Sequence, residues 1–169
     1  MSFTIKGELS GLREVMKRLD SVNTALRRTI LRKAVTAGGR IIRSAVRGRA
    51  PTRAKVGGNI VDLKLLKKSI ALRVRVYRNG GAVVAVIGPQ TGMKEVIGIV
   101  TRGSNKGQWI YEDPAHVAHL VEFGHGGPHA AGANPFVRPG FQDSKATAAE
   151  LVRQLIEAGI SQALSGNLA

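Results

Sequence analysis

The residues of this chain whose types are best suited to chemistry lie between positions 116 and 129. They are four histidines and one glutamate: His116, His119, Glu122, His125 and His129. The first three of these are spaced three residues apart, so one face of a helix would carry them together. Histidine and carboxylate side chains bind zinc, and a catalytic zinc site uses three protein ligands and a water molecule. The spacing matches no established zinc pattern, however, and the last two histidines lie in a glycine-rich loop. Metal-dependent hydrolysis is therefore a minor alternative. The sequence predicts no catalytic residue, no bound metal and no cofactor.

The glycine-rich stretch from Gly124 to Gly132 invites comparison with a phosphate-binding loop. Phosphate-binding loops follow a β-strand and open a helix. This stretch instead follows a predicted helix, so the sequence does not favour nucleotide binding.

The whole chain has a formal net charge of +15, and its positive charge is concentrated in the first half. Between Arg13 and Arg78 there are nineteen lysines or arginines and three acidic residues, against six and seven from Asn79 onwards. Charges packed this densely repel one another, so we expect them to serve a contact with nucleic acid or with an acidic protein surface. A solvated basic helix that serves only solubility is the alternative. Five arginines form a stripe opposite the apolar positions of a predicted helix: Arg28, Arg32, Arg40, Arg43 and Arg47.

The composition indicates one ordinary domain over residues 1–169, built on an aliphatic core. Hydrophobic residues make up 43% of the chain and aromatic residues 4%. The absence of cysteine excludes disulfide bonds and thiolate metal sites. There is no run of 18 apolar residues and no apolar signal-peptide core, so we expect the protein to be made and kept in a cytosol.

The order of patterns predicts an α+β fold with an antiparallel sheet of about four strands and helices packed on it. Two N-terminal helices occupy about residues 10–50, with Ser10 as the first cap and Pro51 ending the second. Residues 52–68 are interpreted as a basic connection. The sheet spans about residues 69–111, with a hairpin turn at Asn79–Gly81. A middle helix covers about 114–124 and a last helix about 139–164.

The last third of the chain carries a pattern typical of rigid packing. A helix is stopped by glycine, a loop follows, and an aromatic residue then lies between two prolines. We expect Phe136 and Arg138 to pack and orient the last helix. The residues of this packing motif are Glu122, Phe123, Gly124, Pro135, Phe136, Arg138 and Pro139.

These segments resemble the HK97 gp10-like proteins of tailed bacteriophages. Val117–Gly124 and Asn134–Phe141 resemble two motifs of that family, while Ala50–Arg53 and Leu66–Ile70 resemble its "APxxTGxLxxSI" segment. The order of the segments is the same. Two details differ from the family pattern. Where the family has a Thr-Gly pair, Thr52 is separated from Gly57–Gly58 by a basic insertion. Where the family often has threonine after the glycine of the helix end, His125 follows Gly124.

The resemblance implies a virion structural protein without catalysis, placed at the neck or tail-completion position. It would form a homo-oligomeric ring (a hexamer or dodecamer) that joins the head connector to the tail tube. Its expected partners are other neck, connector and tail-tube proteins and the packaged double-stranded DNA that passes through the channel, with no membrane. Assembly would take place in the host cytoplasm. We expect the loops Thr101–Gly107 and His125–Asn134 to form the ring interface, since such loops can order on contact. The main alternative is a sequence-nonspecific nucleic-acid-binding protein.

Overall fold

The computed structural model describes residues 12–20, 22–56, 59–77, 82–126 and 130–165. Within these residues it confirms a mixed α+β fold, and the predicted N-terminal, middle and last helices are all present. The helices are α1 (Leu12–Asp20), α2 (Thr24–Arg49), α3 (Lys64–Ser69), α4 (Pro114–Phe123) and α5 (Val137–Leu164). The strands are β1 (Arg53–Val56), β2 (Asn59–Asp62), β3 (Ile70–Val76), β4 (Val83–Pro89), β5 (Glu95–Ile99) and β6 (Trp109–Glu112).

The strands do not form the single sheet of about four strands that the sequence predicts. In the part of the chain that the structure describes, they form three two-stranded sheets, in which β1 pairs with β2, β3 with β4 and β5 with β6. The first and third pairs are antiparallel. Each pair joins strands that are consecutive along the chain, where closing the short connection is entropically cheapest. Alternating hydrophobicity identifies a strand, but it does not show whether the strand pairs on one edge or on both. For that reason the prediction of a single sheet was wrong.

The interpretation of residues 52–68 as a connection was also wrong. This segment contains the β1–β2 pair and the short helix α3. In β1 the charged residues Arg53 and Lys55 alternate with Ala54 and Val56. With only four residues per strand, this alternation is too short to stand out against the basic composition.

The chain divides into two compact units. The first comprises Met1–Gly39, Val74–Ala85 and Ala146–Ala169, and the second comprises Arg40–Arg73 and Val86–Lys145. The predicted single domain over residues 1–169 stays a prediction. The predicted Ser10 cap and the Asn79–Gly81 turn lie outside the described residues.

The core of the first unit is formed mainly by helices that approach one another at glycines. A Cβ atom added at Gly159 would lie 2.7 Å from Ile30 Cγ2, and one added at Gly38 would lie 3.0 Å from the Ala148 carbonyl oxygen. The helices therefore cross closely at Gly38 and Gly159. The buried residues are Val15, Leu19, Val22, Ile30, Leu31, Ala34, Ile156 and Ile160.

The core of the second unit gathers the end of α2, helices α3 and α4, and the beginning of α5. Gly140 permits the closest approach, since a Cβ atom there would lie 2.8 Å from Val46 Cα. Phe136, which is fully buried, is the largest side chain of this core. The buried residues are Val46, Ala50, Leu63, Leu66, Ile70, Val117, Ala118, Val121 and Phe136. Their packing fixes the elements that carry the candidate site.

Candidate functional site

Helix α4 begins and ends at the residues that local sequence signals indicate. The Asp113 side chain accepts a hydrogen bond of 3.0 Å from the Ala115 backbone N–H, and Pro114 follows in the first turn. The backbone N–H groups of Ala115 and then Gly92 lower the pKa of Asp113, because they stabilise its charged form. At the other end Gly124 adopts a positive φ of 70°. These two ends set which side chains α4 presents to the core.

Glu122, near the end of α4, is a buried carboxylate whose partners are all backbone N–H groups. Its Oε2 atom accepts hydrogen bonds from Phe136 N at 2.7 Å and Val137 N at 2.9 Å. Its Oε1 atom accepts a third from Arg138 N at 3.0 Å. We call Glu122 and these three N–H groups the carboxylate clamp. Burial of a charged group is unfavourable unless it is hydrogen-bonded, and the clamp meets that requirement.

The carboxylate clamp caps helix α5 completely. The first four N–H groups of any helix lack partners within the helix. Here Phe136, Val137 and Arg138 donate theirs to Glu122, and Pro139 has no N–H to satisfy. The next residue, Gly140, donates to the Phe136 carbonyl oxygen at 3.2 Å and so begins the helical ladder. The negative charge also lies at the positive end of the helix dipole, which strengthens the contact.

Phe136 ties the clamp to the core. Its side chain is fully buried while its N–H is held by Glu122, so the start of α5 is fixed through both backbone and side chain. Two residues earlier, Asn134 N donates to the Val121 carbonyl oxygen at 2.8 Å. Helices α4 and α5 are therefore joined rigidly at this point.

Gly124 lets the loop return onto the end of α4. A Cβ atom at this position would lie 2.7 Å from the Ala131 carbonyl oxygen and 2.8 Å from Ala133 N, both backbone atoms that cannot move aside easily. His125 and Ala131 form a bridge of two backbone hydrogen bonds, each of 3.0 Å. The base of the predicted contact loop is thus already ordered within the chain.

The predicted histidine cluster is not brought together as a metal site. His116 and His119 are exposed, whereas Glu122 is buried and engaged by three N–H groups. His125 belongs to the loop bridge, and His129 lies outside the described residues. Among the residues that the structure describes, no group of three or more metal-ligating side chains is arranged to hold an ion.

The five arginines of the predicted stripe differ in their environments. Arg28, Arg32 and Arg40 are exposed, while Arg43 and Arg47 are half-buried. The Arg47 Nε atom donates to the Lys67 carbonyl oxygen at 3.0 Å, so this side chain links α2 to α3. The exposed members are the ones available to a partner.

The packing motif is also divided between buried and exposed residues. Phe123 is 59% exposed, and the side chains of Pro135 and Arg138 are exposed as well. Pro139 is half-buried. Arg138 contributes to the clamp through its backbone N–H, and its side chain stays at the surface. The contacts described above assign the rigid role to Glu122, Gly124 and Phe136.

Two structural contacts were missed in the sequence. Arg49 forms an ion pair with Asp143, and Gly140 permits the close approach to Val46. No local pattern identifies either, because the partners are remote along the chain. The clamp itself had a usable signal: Glu122 is the charged member of a stripe that includes Ala118 and Val121. A carboxylate on an apolar face, before a loop that leads into a helix, indicates a buried cap.

The motif residues thus hold helices α4 and α5 in place through backbone and core contacts. The family model HK97-gp10_like, described as "Bacteriophage HK97-gp10, putative tail-component", matches residues 13–124. The match covers more than half of the chain, so the chain belongs to the HK97-gp10-like family, as its motifs predict. It is a structural tail component of a bacteriophage, found in the virion, and not an enzyme.

The matched region contains the Ala50–Arg53, Leu66–Ile70 and Val117–Gly124 segments and ends before Asn134–Phe141. No curated protein and no solved structure matches the chain. Among the described helices, none combines the length and the apolar character that a membrane crossing requires.

Proposed function

We propose that this protein is a neck or tail-completion component that forms a homo-oligomeric ring between the head connector and the tail tube. The ring surrounds part of the channel through which the genome passes. The observation that carries the proposal is the family match over residues 13–124. The carboxylate clamp supports it, because a subunit that joins two large assemblies must hold its surfaces in a fixed geometry.

We further propose that the exposed arginines of α2 bind an acidic patch on an adjoining connector or tail protein. Arg28 and Arg32 lie one helical turn apart with exposed side chains. Arginine forms paired hydrogen bonds with carboxylates, which fixes orientation as well as strength. Contacts with DNA are less suitable for a channel wall, since each neutralised phosphate strengthens the hold on a genome that must slide.

The first experiment removes the protein from the assembling phage. Without it we expect DNA-filled heads and complete tails that remain separate, seen by electron microscopy of the lysate. Supplying the wild-type chain should restore joined particles. Joined, infectious particles that form in its absence would refute the proposed position.

A second experiment tests the arginine contact. The double substitution Arg28→Glu with Arg32→Glu should leave the melting temperature close to that of the wild type, since both side chains are exposed. It should also prevent head–tail joining. The matched control is Arg28→Lys with Arg32→Lys, which keeps the charge and should retain part of the joining. Normal titres from the glutamate variant would exclude this surface.

Sequence-nonspecific nucleic-acid binding is the second candidate function. The observation that favours it is the exposed basic surface of α3, formed by Lys64, Lys67 and Lys68. A nucleic-acid binder should bind free duplex with an affinity that falls steeply with salt, with a slope of about 0.9 per neutralised phosphate. The neck protein proposed above should bind free duplex weakly and without that steep dependence. No contact among the described residues favours the metal-dependent hydrolase.

A further inference from the structure

Strands β3 and β4 form a pair whose alignment is fixed by hydrogen bonds at both ends. At one end Tyr77 N donates to Ala82 O at 2.9 Å. At the other end Gln90 N donates to Ser69 O, also at 2.9 Å. These two bonds show that the strands run in opposite directions in one continuous register. Within the described residues neither strand pairs with a third, so each strand has one free edge.

The free edge of β4 lacks the features that usually protect such an edge. Natural proteins place charged residues, prolines or bulges on a strand that is left open. Strand β4 (Val83–Pro89) contains no charged residue, and its one proline is its last residue. An open, uncharged strand edge can accept a strand from another chain.

The alternation of an antiparallel pair determines which backbone groups face the free edges. Because Tyr77 pairs with Ala82, Val84 directs its N–H and C=O groups toward β3. The next residue, Ala85, directs its N–H and C=O groups away from β3, toward the free edge of β4. On β3 the same alternation directs those of Val74 toward that strand's own free edge. Each strand therefore offers a neighbour hydrogen-bonding groups that the β3–β4 pair does not use.

The outer face of the pair shows what kind of strand can lie beside β4. Val84 is 40% exposed and Val86 is 52% exposed. The register places Arg75 opposite Val84. In the same way Arg73 lies opposite Val86, and both arginines are exposed. An arginine can lay its apolar stem along an aliphatic neighbour while its charged end stays in water. Strand β3 thus suits β4 in its side chains as well as in its backbone.

The charges of the two strands restrict how copies of the chain can join. Strand β3 carries Arg73 and Arg75, whereas β4 is uncharged. Two β3 strands side by side would bring their arginine rows to about 4.8 Å, and like charges on neighbouring strands are destabilising. If β4 of one copy lies beside β3 of the next, the uncharged strand keeps the arginine rows roughly 9–10 Å apart. That separation exceeds the screening length of about 8 Å under physiological conditions.

We infer that the free edge of β4 in one copy pairs with the free edge of β3 in the next, so that the strand pairs join into one sheet around the ring. Such a contact uses two different surfaces of each copy and can close into a ring, whereas contact between two β4 strands stops at a dimer. The inference deepens the proposed function and rests on it, since a homo-oligomeric ring needs a repeating contact between identical chains.

The first test blocks one edge at a time with proline, which lacks the N–H group that a neighbouring strand would use. Ala85→Pro blocks the free edge of β4, and Val74→Pro blocks that of β3. Neither change removes a hydrogen bond between β3 and β4, because both N–H groups point outward. The matched controls are Ala85→Ser and Val74→Thr, which keep the N–H group. Circular dichroism of every variant verifies that the fold is retained.

Self-association of the full chain is measured by light scattering and native mass spectrometry over a range of concentrations. We expect each proline variant to associate at least tenfold more weakly than the wild type, and each control to associate like the wild type. A mixture of the two proline variants should form pairs with one chain of each kind and nothing larger, because each chain keeps one open edge. If the Val74→Pro chain forms dimers by itself, two β4 strands meet and the head-to-tail contact is wrong.

The second test uses assembled particles and needs no proline. The chain contains no cysteine, so introduced thiols are the only ones it carries. One chain receives Val84→Cys or Val86→Cys, and a second chain receives Arg73→Cys or Arg75→Cys, all at exposed positions. Particles assembled from both chains are treated with dibromobimane, a short thiol cross-linker. Cross-links between the two kinds of chain should exceed those within either kind.

The matched control for cross-linking is Ser44→Cys, an exposed position on α2. A chain with this change replaces either partner and should give few cross-links. The particle experiment also decides the case in which the wild type is monomeric in solution.

The outcomes separate the edge contact from the proposed function. If joined particles hold several copies without cross-links between β4 and β3 of different copies, the edge contact is wrong and the ring proposal stands. Cross-links from β4 to a different virion protein would assign that edge to another partner and also overturn the inference. Particles that contain the protein as single copies would overturn the ring proposal and the edge contact together.

Discussion

Replacing Glu122 with glutamine removes the charge of the carboxylate clamp while almost preserving its shape. The amide keeps one acceptor oxygen, and its NH₂ group can only donate. Because the three partners of Glu122 are all N–H donors, at least one of them must then face another donor. The substitution therefore tests whether the carboxylate, rather than the volume of the side chain, holds the start of α5.

The expected loss of stability follows from the contacts. A hydrogen bond to a charged group contributes about 1.5–3 kcal/mol. A negative charge at a helix N-terminus contributes about 0.3–1 kcal/mol more. The sum predicts that Glu122→Gln lowers the free energy of unfolding by about 2–4 kcal/mol. For a chain of this length that corresponds to a fall in Tm of roughly 4–16 °C.

The assay is thermal unfolding followed by circular dichroism, combined with amide hydrogen exchange. Exchange should accelerate at Phe136, Val137 and Arg138 well before the rest of α5. The control is Glu150→Gln on the same helix. The Arg153 side chain lowers the pKa of Glu150 to about 2, but this carboxylate is at the surface, so its loss should change Tm far less. If Glu122→Gln and Glu150→Gln melt together near the wild-type temperature, the clamp does not stabilise the fold.

Three further substitutions test the surroundings of the clamp. Phe136→Ala should lower the free energy of unfolding by about 3–5 kcal/mol, measured by denaturant titration, because it empties a fully buried position. Gly140→Ala should lower Tm, since the added Cβ would meet the Val46 backbone, whereas Gly48→Ala, with open space around it, should keep or raise Tm. Asp113→Asn should lower Tm near neutral pH, where the lowered pKa of the native carboxyl stabilises the fold. That difference should begin to shrink as the pH falls below the ordinary aspartate pKa of about 3.9. It should disappear only below the lowered pKa of native Asp113, where the native carboxyl is protonated as well.

The helices followed from local signals that the structure bears out. Pro114 and Gly124 predicted the two ends of α4, and Pro51 predicted that α2 ends near Arg49. These signals act through the backbone of neighbouring residues, so the sequence alone is sufficient for them. Alternating hydrophobic residues and turn signals predicted a sheet over about residues 69–111, the region that contains the β3–β4 and β5–β6 pairs.

The pairing of the strands and the hydrogen bonds of Glu122 could not be predicted, because they depend on contacts between residues that are distant along the chain. The residues around β4 do not show whether a third strand pairs beside it. One sheet was therefore expected, where the described residues form three separate strand pairs. The partners of Glu122 lie fourteen to sixteen residues further along the chain. The sequence thus identified the residues of the packing motif but not the hydrogen bonds that make Glu122 and Phe136 one unit.

The contacts of Glu122 and Gly124 limit which part of the loop between α4 and α5 can tolerate a change of length. Gly124 must stay without a Cβ because the returning backbone at Ala131 and Ala133 lies against it. From Ala131 onward the chain must deliver Phe136 to the core with its N–H directed at Glu122, so that stretch has a fixed length. The His125–Ala131 bridge closes the loop before that stretch begins. We therefore expect an insertion between His125 and Ala131 to leave Tm close to that of the wild type, whereas an insertion between Ala131 and Phe136 should lower it.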